Sequence, residues 1–399
     1  MSADRARLPR NLRGMQPNGV RLANQRAILT VMAVEPGSSN ADLARRTGLA
    51  PQTVSSVLAD LERAQLITRG EVRRGKRGQP ATPMFLSPTG AFAVGAEIGW
   101  THIEVVLIGL TGQAVGRYRR EYDYPDAQSV FDELATAVAE LIAKLTSDEK
   151  ARLIGIGLAA PGGIGETSAL IPPPGNQSAL WVAIDIARSA ADATGLDVHL
   201  FNDGNAACWG ELIAHPPPRP QSFAFLLIDT FVAAGIIAEG RLWEGVTGAS
   251  ANLGSMLVTD RQGTARFVHE IASLYALRQR LTGNGLDLLA VMTETLSPEA
   301  EPIFAGWIED ASFAIAQTIL NTATVIEFET AIVEAVLPRP GLTRLIEAIE
   351  RQIELAPSLG RRQPAVEAGH LGRSGAAQGA AQLRLYRRFF SRDLQHMDD

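Results

Sequence analysis

Cysteine is almost absent: Cys208 is the single one in 399 residues. That excludes a disulfide framework and any metal cage built from several thiolates. Long apolar runs are missing too, and none approaches the roughly 20 residues that span a bilayer. The opening MSADRARLPRNLRG is polar and basic without an apolar core, so it does not read as a secretory signal, and a cytoplasmic protein is expected. Hydrophobic residues make up an ordinary 46%, enough for a sizeable core, and the length suggests two or three domains. The net charge of −6 conceals an asymmetry. Residues 1–90 hold 14 Lys+Arg against 6 Asp+Glu, and the remainder holds 23 against 37. A head of +8 on a body of −14 is the distribution expected of a polyanion-binding module joined to a non-binding domain.

The head carries helical periodicity. Ile28, Leu29 and Met32 form one apolar stripe, Leu43 and Ala44 a second, and Val54, Val57, Leu58 and Leu61 a third. Asn40 is expected as the N-cap of ADLARR, Gly48 as the left-handed residue closing that helix, and Pro51 in the first turn of the next. Three short helices with a tight turn between the last two make a helix-turn-helix. With Ala50–Gln65 as recognition helix, its outer face presents Gln52, Thr53, Ser55 and Ser56, of which glutamine can pair with adenine. Its first two turns lack Lys and Arg, so phosphate attraction is assigned to Arg45 and Arg46 on the preceding helix. After a β-rich start at Ile67 and Thr68, the loop RGEVRRGKRGQP carries Arg69, Arg73, Arg74, Lys76 and Arg77. Gly75 and Gly78 permit close backbone approach, and Arg77-Gly78-Gln79-Pro80 suits an extended arm in an A·T-rich minor groove.

The body alternates strands and helices. FAVGAEIG, HIEVVLIG and AVGRYRREY read as strands within residues 92–121. A helix follows over about 127–145, then the strand LIGIGLAAP, a helix near 181–194 and the strand VHLFND. A second strand–turn–strand opening over 223–245 suggests a duplicated α/β architecture with a cleft between lobes.

The succession of helix-turn-helix, RGKRGQP wing, EIGWT, LAAPGGI, FNDGNAA and LGRSGAAQGAA resembles the ROK family (repressors, open reading frames and sugar kinases) from about Asn24 to Phe390. The resemblance implies an α+β and α/β multidomain chain. An N-terminal winged helix-turn-helix is followed by a two-lobed, actin-like (ribonuclease H-like) sugar-kinase fold. The expected boundaries are a flexible tail over 1–19, the DNA-binding domain over 20–88 and the ROK domain over 89–399. Its lobes are expected at about 89–201 plus the C-terminal helix, and at 202–372.

Against the family's kinases the working parts are altered at four separate places. Glu97-Ile98-Gly99-Trp100-Thr101 puts an indole where a glycine of the first phosphate turn belongs. Asp229-Thr230-Phe231 brings a carboxylate to the second. Ala251-Asn252-Leu253-Gly254-Ser255 lacks the family's sugar-binding Glu and its sugar- and zinc-binding His. The adenine-side glycines are replaced by Val333-Glu334-Ala335-Val336. DRQGTARFVHEI holds no cysteine, so no zinc site is expected, and His269 reads as an ordinary helix residue. The Asn202-Asp203 pair matches the family's sugar-binding pair. Asp203 reads equally as a vestigial base or as the cap of the helix after it. Gly162 and Gly163 occupy the family's Pro-Gly turn. Gly163, Asn176, Asn202, Asp203 and Asn252 are the candidate effector-binding residues; Gln177 is an alternative to Asn176, and Asn252 reads equally as a loop cap.

The expectation is a DNA-binding transcriptional regulator, a repressor of carbohydrate-related genes. Its degenerate ROK domain serves dimerisation and effector sensing. The expected partners are double-stranded DNA with an inverted repeat and A·T-rich flanks, a sugar or sugar derivative, and a second copy or a dimer of dimers. No cofactor, metal or membrane is expected. A sugar kinase that also binds DNA, and a regulator whose body docks another protein, are the alternatives.

Overall fold

The computed structural model describes residues 17–71, 82–165, 171–248, 251–358, 360 and 362–390. The chain divides into two compact units. No helix among the described residues is long and apolar enough to cross a membrane.

The first unit comprises residues 1–90 together with those from Tyr386 onward. Helices α1 (Pro17–Val34), α2 (Asn40–Thr47) and α3 (Pro51–Arg63) precede strands β1 (Ile67–Arg69) and β2 (Met84–Leu86). The strands pair antiparallel, with Ile67 opposite Leu86. Ile28, Leu29, Met32, Leu43, Val54 and Leu61 are buried together with Ile67 and Met84. The three apolar stripes therefore meet in one small core. The cap of α2 is Ser39, not Asn40: Ser39 Oγ accepts from the Asp42 amide and the Asp42 carboxylate accepts from the Ser39 amide. Asp42 decides the choice, because an acid three residues after serine completes a reciprocal box that Asn40 cannot form. Asn40 instead donates to Ser55 Oγ at 2.9 Å. Gly48 ends α2 at φ +67°, and Pro51 opens α3. From the far end of the sequence, the carbonyls of Arg387 and Arg388 accept from the Arg26 guanidinium.

The second unit, Ala91–Leu385, contains two sheets of one design. Strands β3 (Phe92–Ile98), β4 (His102–Gly109) and β5 (Ala114–Glu121) form an antiparallel meander. Helices α4 (Val130–Ile142) and α5 (Ser147–Lys150) lead to β6 (Leu153–Ala160); α6 (Gln177–Ala183) and α7 (Ile186–Thr194) lead to β7 (Val198–Asn202). The sheet order is β5-β4-β3-β6-β7, its last two strands parallel to β3. The single helix expected near 181–194 is two, because Asp185 caps a fresh start by accepting from the Arg188 amide. After α8 (Asp203–Ala214), the second sheet begins with β8 (Phe223–Ile228), β9 (Val232–Ala238) and β10 (Arg241–Leu242). A separate hairpin, β11 (Leu257–Thr259) and β12 (Ala265–Phe267), leads through α9 (Val268–Ala272), α10 (Leu274–Thr282) and α11 (Ala300–Val325). Strand β13 (Thr330–Ala335), helix α12 (Arg339–Leu355), strand β14 (Ala365–Ala368) and helix α13 (Gly375–Phe389) complete the chain. The second order, β10-β9-β8-β13-β14, repeats the first: three antiparallel strands, then two parallel.

Small residues bring α13 against its neighbours at backbone distance. A Cβ on Gly95 would lie 1.9 Å from the Ala377 carbonyl oxygen, and one on Gly379 would lie 1.8 Å from that of Ala206. Only glycine fits such approaches, which is what the GAAQGAA run supplies between β3 and α8.

Candidate functional site

In the head, Gln52, Ser55 and Ser56 are exposed on α3 and Thr53 is half-buried, opposite the Val54–Val57–Leu61 stripe. Ser55 Oγ also donates to the Pro51 carbonyl at 3.0 Å. Arg45 pairs with Asp42 at 2.7 Å, and Arg46 pairs with Glu35. Exposed ion pairs of this kind are worth about 0–1 kcal/mol, so these guanidinium groups can exchange their carboxylates for phosphates. Arg73, Arg74, Lys76, Arg77, Gly78 and Gln79 lie outside the described residues.

In the second unit, the turns at one end of both sheets open onto a cleft of about 700 Å³. From the first lobe come Glu97 at the end of β3, Trp100 in the turn, His102 at the start of β4 and Gly163 after β6. Asn202 and Asp203 stand where β7 passes into α8, Asp229 and Phe231 between β8 and β9, and Asn252, Ser255 and His269 beyond them. The structure thus brings Gly163, Asn202, Asp203 and Asn252 to one cavity. Asn176 is not in its lining: it is exposed at the start of α6. Its neighbour Gln177 is buried as a strut, accepting from the Ala127 amide and donating to Asp126.

The acids of the cleft are coupled. Burial, then the charges of Glu97 and Asp229, push Asp203 up to about 7, although its Oδ1 accepts from the Gly204 amide and from Asn202. Asn202, not Asp203, caps α8, accepting from the Asn205 amide at 3.1 Å. Asp203 therefore does not take the cap role considered for it. Burial raises Asp229 as well, against the opposing charge of His102. Burial alone would lower the His102 imidazole, and the Glu97 carboxylate, 3.3 Å from Nε2, more than reverses this.

His269 is not the ordinary helix residue expected. It lines the cleft, and its Nδ1 accepts from the Val232 amide at 3.1 Å, which places the proton of the neutral ring on Nε2. Burial holds it down to about 4. Gly254 makes room for it, since a Cβ there would meet Cε1 at 2.1 Å. His102, also in the lining, had a local signal. It flanks the β3–β4 turn, and a tight hairpin sets both flanking residues at the same end of the sheet.

Trp100 and Phe231, in the two turns that the resemblance implies for phosphate, meet edge to face with ring centroids 5.0 Å apart. His269 stands 5.6 Å and Tyr275 6.0 Å from Phe231, and Tyr124 stands 6.4 Å from Trp100. Rings fill these turns, and Asp229 adds a carboxylate beside them. Among the described residues no three His, Cys, Asp or Glu side chains are disposed to hold a metal ion.

Comparison with known proteins places these features in context. The model described as ROK family matches residues 93–386, and that of the MarR family matches residues 18–78. The chain is 28% identical over 372 residues to an uncharacterized protein, y4fQ, of Sinorhizobium fredii, covering 92% of each chain. It is 25% identical over 241 residues to the xylose repressor of Bacillus subtilis, covering 60% of this chain and 61% of that one. A crystal structure described as a ROK family transcriptional regulator, a homolog of the E. coli MLC protein, superposes with a TM-score of 0.67 at 19% identity. It covers 95% of this chain and all of its own, so the two share a fold over that span.

Proposed function

The chain belongs to the ROK family, and we propose on that premise that it is a DNA-binding transcriptional repressor of carbohydrate-related genes, acting in the cytoplasm as a homodimer. One observation carries the reading. In a chain with a MarR-type head, both turns that would receive nucleotide phosphate are filled by aromatic rings in mutual contact. The kinase fold together with ring-filled turns supports a reading of binding without phosphoryl transfer. The xylose repressor among its relatives supports the same assignment.

In this reading Gln52, Thr53, Ser55 and Ser56 face base edges or phosphates, and Arg45, Arg46 and the wing residues Arg73, Arg74, Lys76 and Arg77 supply phosphate attraction. Gly78 and Gln79 let the wing follow a minor groove. Two heads related by the dimer axis read an inverted repeat with A·T-rich flanks. The cleft receives a small effector through Gly163, Asn202, Asp203 and Asn252, and the effector shifts the balance between DNA-bound and free states by binding them unequally.

Mapping of bound DNA across the genome, followed by titration of a recovered site through a salt series, tests the assignment. The expected result is a palindromic site beside carbohydrate genes with a steep fall of affinity in salt. Weak binding indifferent to sequence overturns it. Incubation with ATP and a panel of hexoses should transfer no phosphate above background; turnover would instead make Asp203 a working base.

A further inference from the structure

Carboxylates dominate the charge of the cleft, opposed in its lining by the raised His102 imidazole. Glu97, Asp203, Asp229 and Glu270 contribute carboxylates to its lining, which contains no lysine or arginine among the described residues. Arg119 and Arg373, whose charges reach His102 and Asp229, are paired with Glu104 and Glu121. Glu97 is 6% exposed, and its Oε2 has no hydrogen-bond partner. The same holds for Nε2 of His102, 3% exposed and 3.3 Å away. The two form an ion contact too poorly aligned for a hydrogen bond, and a buried carboxylate oxygen short of a well-aligned donor is costly, so this corner favours a further donor. Trp100, Phe231 and Phe267 line the same space, and aromatic faces attract cations. With no three metal-ligating side chains suitably disposed among the described residues, the fitting cation is an organic one.

We propose that the cleft takes a hydroxylated small molecule bearing a protonated amine. Its ammonium donates to Glu97 and Asp229, and its hydroxyls engage Asn202, Asn252 and Asp203. An ammonium brings three donors and no acceptor. A neutral hydroxyl would satisfy one oxygen yet leave the carboxylates repelling one another, whereas a cation removes that repulsion. Phosphorylated ligands meet the opposite: more negative charge among acids. The inference rests on reading the second unit as the effector sensor.

Matched ligands test it. The full chain is titrated calorimetrically at neutral pH and low salt with glucosamine, galactosamine and mannosamine, each beside its parent hexose and its N-acetyl derivative. At least one amine is expected to bind about tenfold or more tightly than both neutral counterparts. Asp229→Asn should abolish that preference. Glu97→Gln, an amide of the same shape, gives a second reading should the first variant fail to fold. Equal binding by neutral sugars, a preference that survives both substitutions, or no binding by any amine overturns the proposal. Titration with the DNA site from the mapping separates the two readings. Specific DNA binding without an amine preference discards the cationic effector and keeps the repressor. An amine preference without specific DNA binding does the reverse.

Discussion

Asp203 and His269 are displaced in opposite directions by the same cause, burial in one cleft, and their effects on stability have opposite signs. Asp203 moves from 3.8 to about 7. Across that window the folded protein keeps a proton that the unfolded chain has lost, so stability falls as pH rises, by up to ~1.4 kcal/mol per unit. His269 moves from 6.5 to about 4. There the unfolded chain holds the extra proton, and stability rises with pH by a similar amount. Urea unfolding between pH 4 and 6.5 should therefore show Asp203→Asn gaining stability with pH relative to the parent, and His269→Gln losing it. His102 and Asp229, both raised, titrate in the parent as well; Asp229 is coupled to Asp203 through their charges, so the Asp203→Asn difference includes the accompanying shift of Asp229. Slopes unchanged in both variants would show that neither group titrates in the window. The Trp100–Phe231 contact is testable in the same way: a double-mutant cycle to alanine should give a coupling of roughly 0.5–1.5 kcal/mol, and simple additivity would mean that the rings do not hold each other.

Individual elements carry their own consequences. Ser39→Ala removes the cap of α2 and should lower the stability of the head by about 0.5–2 kcal/mol, whereas Asn40→Ala, which leaves that cap intact, should cost less; thermal melts distinguish them. On α3, Gln52→Ala should cost about 1–3 kcal/mol of discrimination at one base pair while leaving the salt dependence of binding unchanged. Elements were legible in the sequence wherever local chemistry decides them. The three-helix head, the β3–β4–β5 meander and the doubled opening at β8–β9 follow from apolar period and glycine turns alone. Where two adjacent residues can both cap, as at Ser39–Asn40 and Asn202–Asp203, the outcome depends on a partner three residues on, and the less obvious residue took the role. The cleft was half legible. Gly163, Asn202, Asp203 and Asn252 lie in it, each carried by a turn adjacent to a strand or helix start. His269 enters from a helix reached through the separate β11–β12 hairpin, and no local pattern announces that placement. Asn176 lies outside that lining, because a position at a helix start fixes the backbone but says nothing of which way the loop faces.

For the whole molecule, the opposed charges of head and body lead to the expectation that DNA attraction comes from residues 1–90. Replacing Arg73, Arg74, Lys76 and Arg77 by glutamine should flatten the logarithmic salt dependence by about 0.9 for each phosphate no longer neutralised, without changing which sequence is preferred. A slope that stays the same would move phosphate attraction from the wing to Arg45 and Arg46. The first unit also draws residues from both ends of the chain, the Arg387 and Arg388 carbonyls receiving Arg26. A gene fragment ending at codon 90 encodes that unit without its closing piece. A head cut at that boundary loses the two carbonyls that receive Arg26, so moving it onto another body is expected to cost the head stability unless the residues from Tyr386 onward travel with it.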